Sequence, residues 1–409
     1  MNTAFYIAKR YLFSKKSLNA INFVSGISVL GVFVGSAALI IGLSVFNGFE
    51  KLVLSMYNTF SPEIRIEPAK GKTFSPDKVA FFTSLKSDKR VGNYTEVLEE
   101  KALLKYEKAQ YIGLVKGVSN NFTKGKKLDS TILEGKFTLQ KRGENFAVIG
   151  SAVQAYLSVN VSDDFRDLEI YSPKKGITNA INPAQEFVLR VIHPIGVYQI
   201  QQEFDEQVIV PLGFMRELLG EETGVSAIEL DLKNNTAVKD FQKEIETRAG
   251  KNFVVKNRAQ QNRLLYKTLT SEKFFVYLFL TFVLIIAIFN MVGSLTMLVM
   301  DKLKDISLLS SMGASRKLIR SIFFIEGIMI SMAGCIAGML AGLTFCLFQQ
   351  KYAFIKMEQA NLTTDAYPID IRWTNFVIVF ITVASISMIA SFISSRLSVK
   401  NIGSLRSDL

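Results

Sequence analysis

The side chains best suited to chemistry are few in this 409-residue chain, and their spacing argues against catalysis. The single histidine, His193, lies between Ile192 and Pro194 at the expected end of a strand. One imidazole cannot make a two-histidine metal site, and no nucleophile stands near it to form a triad. Cys335 and Cys346 are eleven residues apart in one charge-free run, ~16 Å along a helix, too far to bridge. The acidic clusters Asp163-Asp164 and Glu203-Phe204-Asp205-Glu206 fall where turns are expected and read as solvated loops. No glycine-rich loop followed by Lys and Ser or Thr is present to cradle phosphates, so ATP is not expected to bind this chain. Neither catalytic, cofactor-binding nor metal-ligating residues are assigned.

The elements that would position any function are membrane spans. Residues 17–49, 274–300, 327–350 and 373–395 carry no charge, giving runs of 33, 27, 24 and 23 residues. A charge at the centre of a spanning helix costs about 2.5–3.5 kcal/mol, so runs longer than the ~20 residues needed predict four transmembrane helices. At ~1.5 Å per residue the second is about 40 Å long and should emerge from the bilayer as a stalk. The first run is too long for a cleaved signal core and is expected to remain as a helix.

Net charge is +12, and three short segments hold most of it. They are the stretch with Lys9, Arg10, Lys15 and Lys16, the loop with Lys302, Lys304, Arg316, Lys317 and Arg320, and the tail with Arg396, Lys400 and Arg406. Positive charge at membrane ends places both termini and that loop in the cytoplasm, with the large insertion outside. It also disfavours a nucleic-acid partner, for which the charge would line one soluble face. The expected order is an interfacial N-terminal helix (1–20), first span (21–48), extracytoplasmic domain (49–272), second span (273–300) and cytoplasmic loop (301–320). A third span (321–349), outer loop (350–372), fourth span (373–395) and tail (396–409) complete it.

Within the insertion, strand-like runs at 63–67, 95–106 and 110–118 flank a helical stretch begun by Ser75-Pro76-Asp77, and 227–232, 237–248 and 252–255 read as strand, helix and strand. The fold class is thus membrane α-helical with a large α+β extracytoplasmic domain, a split ferredoxin-like unit interrupted at 119–225 by a β-rich subdomain. That subdomain should contain strands at 146–150, 168–171, 187–192 and 207–210.

In the 301–320 loop, Leu303, Ile306, Leu309 and Met312 recur every three residues and predict a short helix with one apolar face. Gly313 suits a left-handed stop and Ser315 the cap of the next helix. Gly334, Gly338 and Gly342 at four-residue spacing, with Gly31 and Gly35, would let helix backbones approach. Glu326 lies near enough to the cytoplasmic edge to pair with a cation there.

Asn47-Gly48-Phe49-Glu50, the stretch from Lys304-Asp305-Ile306 to Met312-Gly313-Ala314-Ser315, and Tyr367-Pro368-Ile369-Asp370 resemble the LolC/LolE lipoprotein-releasing permeases of the FtsX/MacB-type ABC permease superfamily. The resemblance covers nearly the whole chain. It implies a short helix that docks on a separate ATPase, which binds the ATP and Mg. By position, Lys304, Asp305, Ile306, Met312, Gly313 and Ala314 would form that coupling surface. It implies as well a second permease chain, identical or a paralogue, and a periplasmic carrier that takes the lipoprotein.

The carrier-recruiting hook would fall at Pro173, Lys174, Lys175, Asn182 and Pro183, though the arginine expected between the prolines is missing. The tail reads Ile402-Gly403-Ser404-Leu405-Arg406, where the family usually has Pro and then Ala-Leu-Arg. With no ions expected deep in the spans, an aqueous solute path is disfavoured. Acylated cargo is expected to enter from the lipid near Val45, Phe46 and Phe49. Two other classes share features of this plan: FtsX-like mechanotransmission to an external cell-wall hydrolase, and a membrane-anchored external enzyme.

Overall fold

A computed structural model describes residues 3–12, 20–124, 128–174, 186–233, 236–356 and 366–405. The chain forms two compact units, Met1–Leu52 with Lys267–Leu409, and Val53–Tyr266. It opens with α1 (Thr3–Leu12) and α2 (Ala20–Phe60), then β1 (Ile64–Pro68), α3 (Ala80–Lys86), β2 (Val91–Tyr106), β3 (Ala109–Val118), β4 (Ile132–Gly135), β5 (Gln140–Lys141) and β6 (Glu144–Gly150). There follow α4 (Ser151–Leu157), β7 (Leu168–Pro173), β8 (Phe187–Tyr198), α5 (Gln202–Asp205), β9 (Gln207–Pro211), α6 (Leu212–Leu219), β10 (Ala227–Leu232), α7 (Val238–Ala249), β11 (Phe253–Asn257) and α8 (Arg258–Gln261). The last elements are α9 (Arg263–Asp301), α10 (Leu303–Ser311), α11 (Arg316–Tyr352) and α12 (Trp373–Leu405).

Among the described residues four helices, α2, α9, α11 and α12, are long and apolar enough to cross a membrane. The expected first span ends at residue 48, yet α2 continues to Phe60. No glycine or proline intervenes between Gly48 and Pro62 to break it. With 41 residues in α2 and 39 in α9, the two helices are each about 60 Å long at ~1.5 Å per residue, about twice the hydrocarbon thickness. Overreach is therefore shared by the first two spans rather than confined to the second.

In the strand-rich unit the sheet runs β11-β1-β10-β2-β3-β9-β6-β8-β4. Its first four strands carry α3 and α7 on one face, where Phe82, Leu85, Phe241 and Ile245 pack on Ile64, Ile66, Ile228 and Leu230. β2 has 16 residues, enough to pair β10 along 91–97 and β3 along 97–106, while Leu103–Lys105 also pair β7. The β7–β8, β8–β6, β6–β9 and β9–β3 pairings then close a ring of six strands. The strands of the 119–225 region are thus hydrogen-bonded into the same sheet as the rest, because β2 and β3 are long enough to serve both parts.

Alternation along β1 sends Ile64 and Ile66 to the helices and Arg65 and Glu67 to the other face. There Arg65 donates to Glu67 at 2.7 Å, Glu99 at 2.7 Å and Glu229 at 3.0 Å, and Lys116 donates to Glu229 at 2.7 Å. Burial alone would push the Glu99 carboxyl up, but Arg65 and Lys116 outweigh it and hold it down at about 2.

Candidate functional site

The segment between α9 and α11 is built from local chemistry. Met312 ends α10, Gly313 adopts φ +89°, and its N–H donates to the Ser310 carbonyl at 3.1 Å while Ala314 N–H donates to Leu309 at 2.9 Å. This pair of bonds is the glycine stop that satisfies the last carbonyls of a helix. Ser315 Oγ accepts from Leu318 N–H at 3.3 Å and caps α11.

The faces of α10 differ from a single Leu303-Ile306-Leu309-Met312 stripe. A three-residue step falls 60° short of a full turn, so nine residues carry Met312 to the side opposite Leu303. Ile306 is buried among Leu298, Val299, Ile319 and Phe323 and is not available to a partner, which corrects its assignment to the coupling surface. Leu309 packs behind, against the Ala4, Ala8 and Ile322 cluster that α1 and α11 make. Exposed instead are Lys304, Ser307, Leu308, Ser311, Met312 and Gly313, with Leu308 64% and Met312 83% accessible. Asp305, half-buried, lies 3.8 Å from Lys302, and Ala314 is also half-buried. Sequence reading missed Leu308; the four-residue step Lys304, Leu308, Met312 was its signal.

Two sequence motifs more than 300 residues apart meet where α2 passes the start of α12. Asn47 Nδ2 donates to the Asp370 carbonyl at 3.3 Å, and Asp370 N–H donates to the Ser44 carbonyl at 3.0 Å. Any side chain at Gly48 would collide with the carbonyl of Pro368. Glu50 lies 3.2 Å from Arg372 and 3.7 Å from Lys273, while Asp370 pairs Arg372 at 2.8 Å and Lys51 at 3.5 Å. The hydrogen bond from Arg372 is the main force lowering the Asp370 pKa. Beside this junction Phe49 is exposed, whereas Val45 and Phe46 are half-buried.

The larger apolar surface is on α9, where Phe275, Phe279, Phe282, Ile286 and Phe289 recur at four- and three-residue steps and are all more than half exposed. Added side chains at Gly31 and Gly35 would meet Ala287 and Leu284 of α9; those at Gly334, Gly338 and Gly342 would meet Val29, Phe33 and Ala37 backbone of α2. Glu326 is buried, 1% exposed, and the charge of Lys302, at the start of the loop before α10, acts on it. Of the hook candidates, Pro173 ends β7 and Lys174 donates its N–H to the Glu186 carbonyl; Lys175, Asn182 and Pro183 lie outside the described residues. His193 Nδ1 is 3.0 Å from Asp167 Oδ1, and among the described residues no cluster could hold a metal ion.

Apolar helices bearing a large strand-rich insertion, with a capped helix between the second and third, describe a class of membrane permease. Residues 25–248 match the MacB-like periplasmic core domain and residues 277–401 the FtsX-like permease C-terminal domain, and the chain belongs to this permease family. Within it, the likeness is to the lipoprotein-releasing LolC/LolE type. The chain is 24% identical to the lipoprotein-releasing system transmembrane protein LolC of Xylella fastidiosa, across 94% of both chains. It is 27% identical to LolC of Buchnera aphidicola across 93% of both, and 23% identical to LolE of Haemophilus influenzae across 98% of both. Permeases of this type are non-catalytic subunits of ABC transporters.

Proposed function

We propose that this chain is the transmembrane permease subunit of an ABC transporter in which a separate ATPase, holding ATP and Mg, drives extraction of lipoproteins from the inner membrane and their transfer to a periplasmic carrier. The observation that carries this reading is the Lys304–Leu308–Met312 ridge of α10. Its Leu308 and Met312 side chains are apolar and exposed beside the charged Lys304, and Ile306 and Leu309 brace the helix from behind, as a docking face for another subunit requires. End-to-end likeness to lipoprotein-releasing proteins supports the cargo class.

In this reading residues 53–266 are periplasmic and both termini cytoplasmic, as the basic segments favour. A second permease chain and the acyl chains of cargo share the phenylalanine face of α9, with Phe49 at its margin. The four-strand order β11-β1-β10-β2 under α3 and α7 supports a split ferredoxin-like unit with the ring-forming strands inserted.

Purification in detergent followed by reconstitution tests the reading. A copurifying nucleotide-binding subunit and ATP-dependent release of a triacylated lipoprotein from liposomes are expected. Hydrolase activation without release would replace it with the mechanotransmission class.

A further inference from the structure

At the outer junction a buried acceptor and a buried donor each lack a partner. Asn47 is 0% exposed and Asn375 is 3% exposed. Asn47 Oδ1 receives no hydrogen bond and Asn375 Nδ2 gives none. A group so orphaned costs about 1–3 kcal/mol, so the arrangement is not the one these side chains alone would choose.

Their placement is complementary. Asn47 lies one turn before Glu50 on α2, and Asn375 lies one turn inside Arg372 on α12; Glu50 and Arg372 are paired at 3.2 Å. Leu43 and Leu39, four and eight residues before Asn47 on α2, share one buried core with Val379 and Val383, four and eight residues after Asn375 on α12, so each asparagine continues the face its helix turns to that core. What holds the present arrangement is two hydrogen bonds, Asn47 Nδ2 to the Asp370 carbonyl and Asp370 N–H to the Ser44 carbonyl, with part-exposed ion pairs, Glu50 with Arg372 and Lys273 and Asp370 with Lys51, each worth little in water.

We propose that this junction is a two-state latch. In the second state Asn375 Nδ2 donates to Asn47 Oδ1, and the 366–372 segment shifts its hold on the outer end of α2. Asn47 and Asn375 are positioning residues for transport, and the latch rests on the permease reading above. Parting the ion pairs frees the outer end of α2, beside exposed Phe49, during each cycle.

The test is a cysteine pair, Asn47→Cys with Asn375→Cys, in a chain with Cys335 and Cys346 replaced by alanine, reconstituted with its copurified ATPase. Disulfide formation should be several-fold faster during ATP turnover than at rest. Adding Glu50→Gln should speed the resting reaction about two- to five-fold, the effect of losing a part-exposed ion pair. The oxidised protein should stop releasing a triacylated lipoprotein while still hydrolysing ATP, and reductant should restore release. Equal cross-linking with and without ATP, or undiminished release by the oxidised protein, overturns the latch. Failure of the wild-type complex to release lipoprotein at all would instead overturn the permease reading, and the cross-linking rates would still judge the latch.

Discussion

Leu308 and Ile306 sit two residues apart on α10, and their truncation should have opposite consequences. Ile306 is 3% exposed, so Ile306→Ala should cost about 2–5 kcal/mol of folding stability through lost contacts and a cavity. Leu308 is 64% exposed, leaving little in this chain to lose. Fully burying a leucine is worth about 1.5–3 kcal/mol, so covering the exposed part by a partner contributes about 1–2 kcal/mol. Leu308→Ala should then weaken ATPase association roughly 5- to 30-fold while the melting temperature stays put. Titrating the ATPase against purified permease in nanodiscs, with thermal unfolding of each variant in parallel, reads both quantities. Unchanged ATPase affinity in Leu308→Ala, or a loss of stability matching that of Ile306→Ala, would refute the two-faced description of α10.

Three further outcomes follow from packing and charge. Gly338→Val should abolish stable folding, because its side chain would run into the Phe33 carbonyl on α2, which has no rotamer to yield; size-exclusion behaviour in detergent checks this. Phe60 is 2% exposed and stacks on Tyr198 at 5.0 Å, so Phe60→Ala should cost about 3–5 kcal/mol, seen as faster hydrogen exchange across the strand-rich unit. Against the upward push of burial, Arg65 and Lys116 hold the Glu99 carboxyl down at about 2 in the fold, against 4.5 for an unperturbed glutamate, so the stabilisation it brings is full above about pH 4.5 and disappears as pH falls toward 2. Acid unfolding of the wild-type strand-rich unit, followed by hydrogen exchange, should have that pH dependence, and Glu99→Gln should flatten it.

Much of the plan was legible because its causes are local. Insertion cost is set residue by residue, so charge-free runs alone mark four apolar helices. Gly313 as a left-handed stop and Ser315 as a cap follow from backbone preferences that need no distant partner. The strand at 110–118 announced itself through Tyr111, Ile112, Val115 and Val118, and that at 227–232 through the alternation Ile228-Glu229-Leu230-Asp231-Leu232.

Tertiary structure decided what depends on distant neighbours. Which side of α10 is covered was set by Ile319, Phe323 and α1, and a short helix with scattered apolar residues could have buried either side. No periodicity in β2 reveals that it serves β10, β3 and β7 in turn, since pairing is a choice among strands far away in the chain. Most plainly, Asn47-Gly48-Phe49-Glu50 and Tyr367-Pro368-Ile369-Asp370 are unremarkable alone. Only folding brings the Pro368 carbonyl onto Gly48 and Arg372 onto Glu50, because loop closure over such a separation is governed by how the helices between them pack.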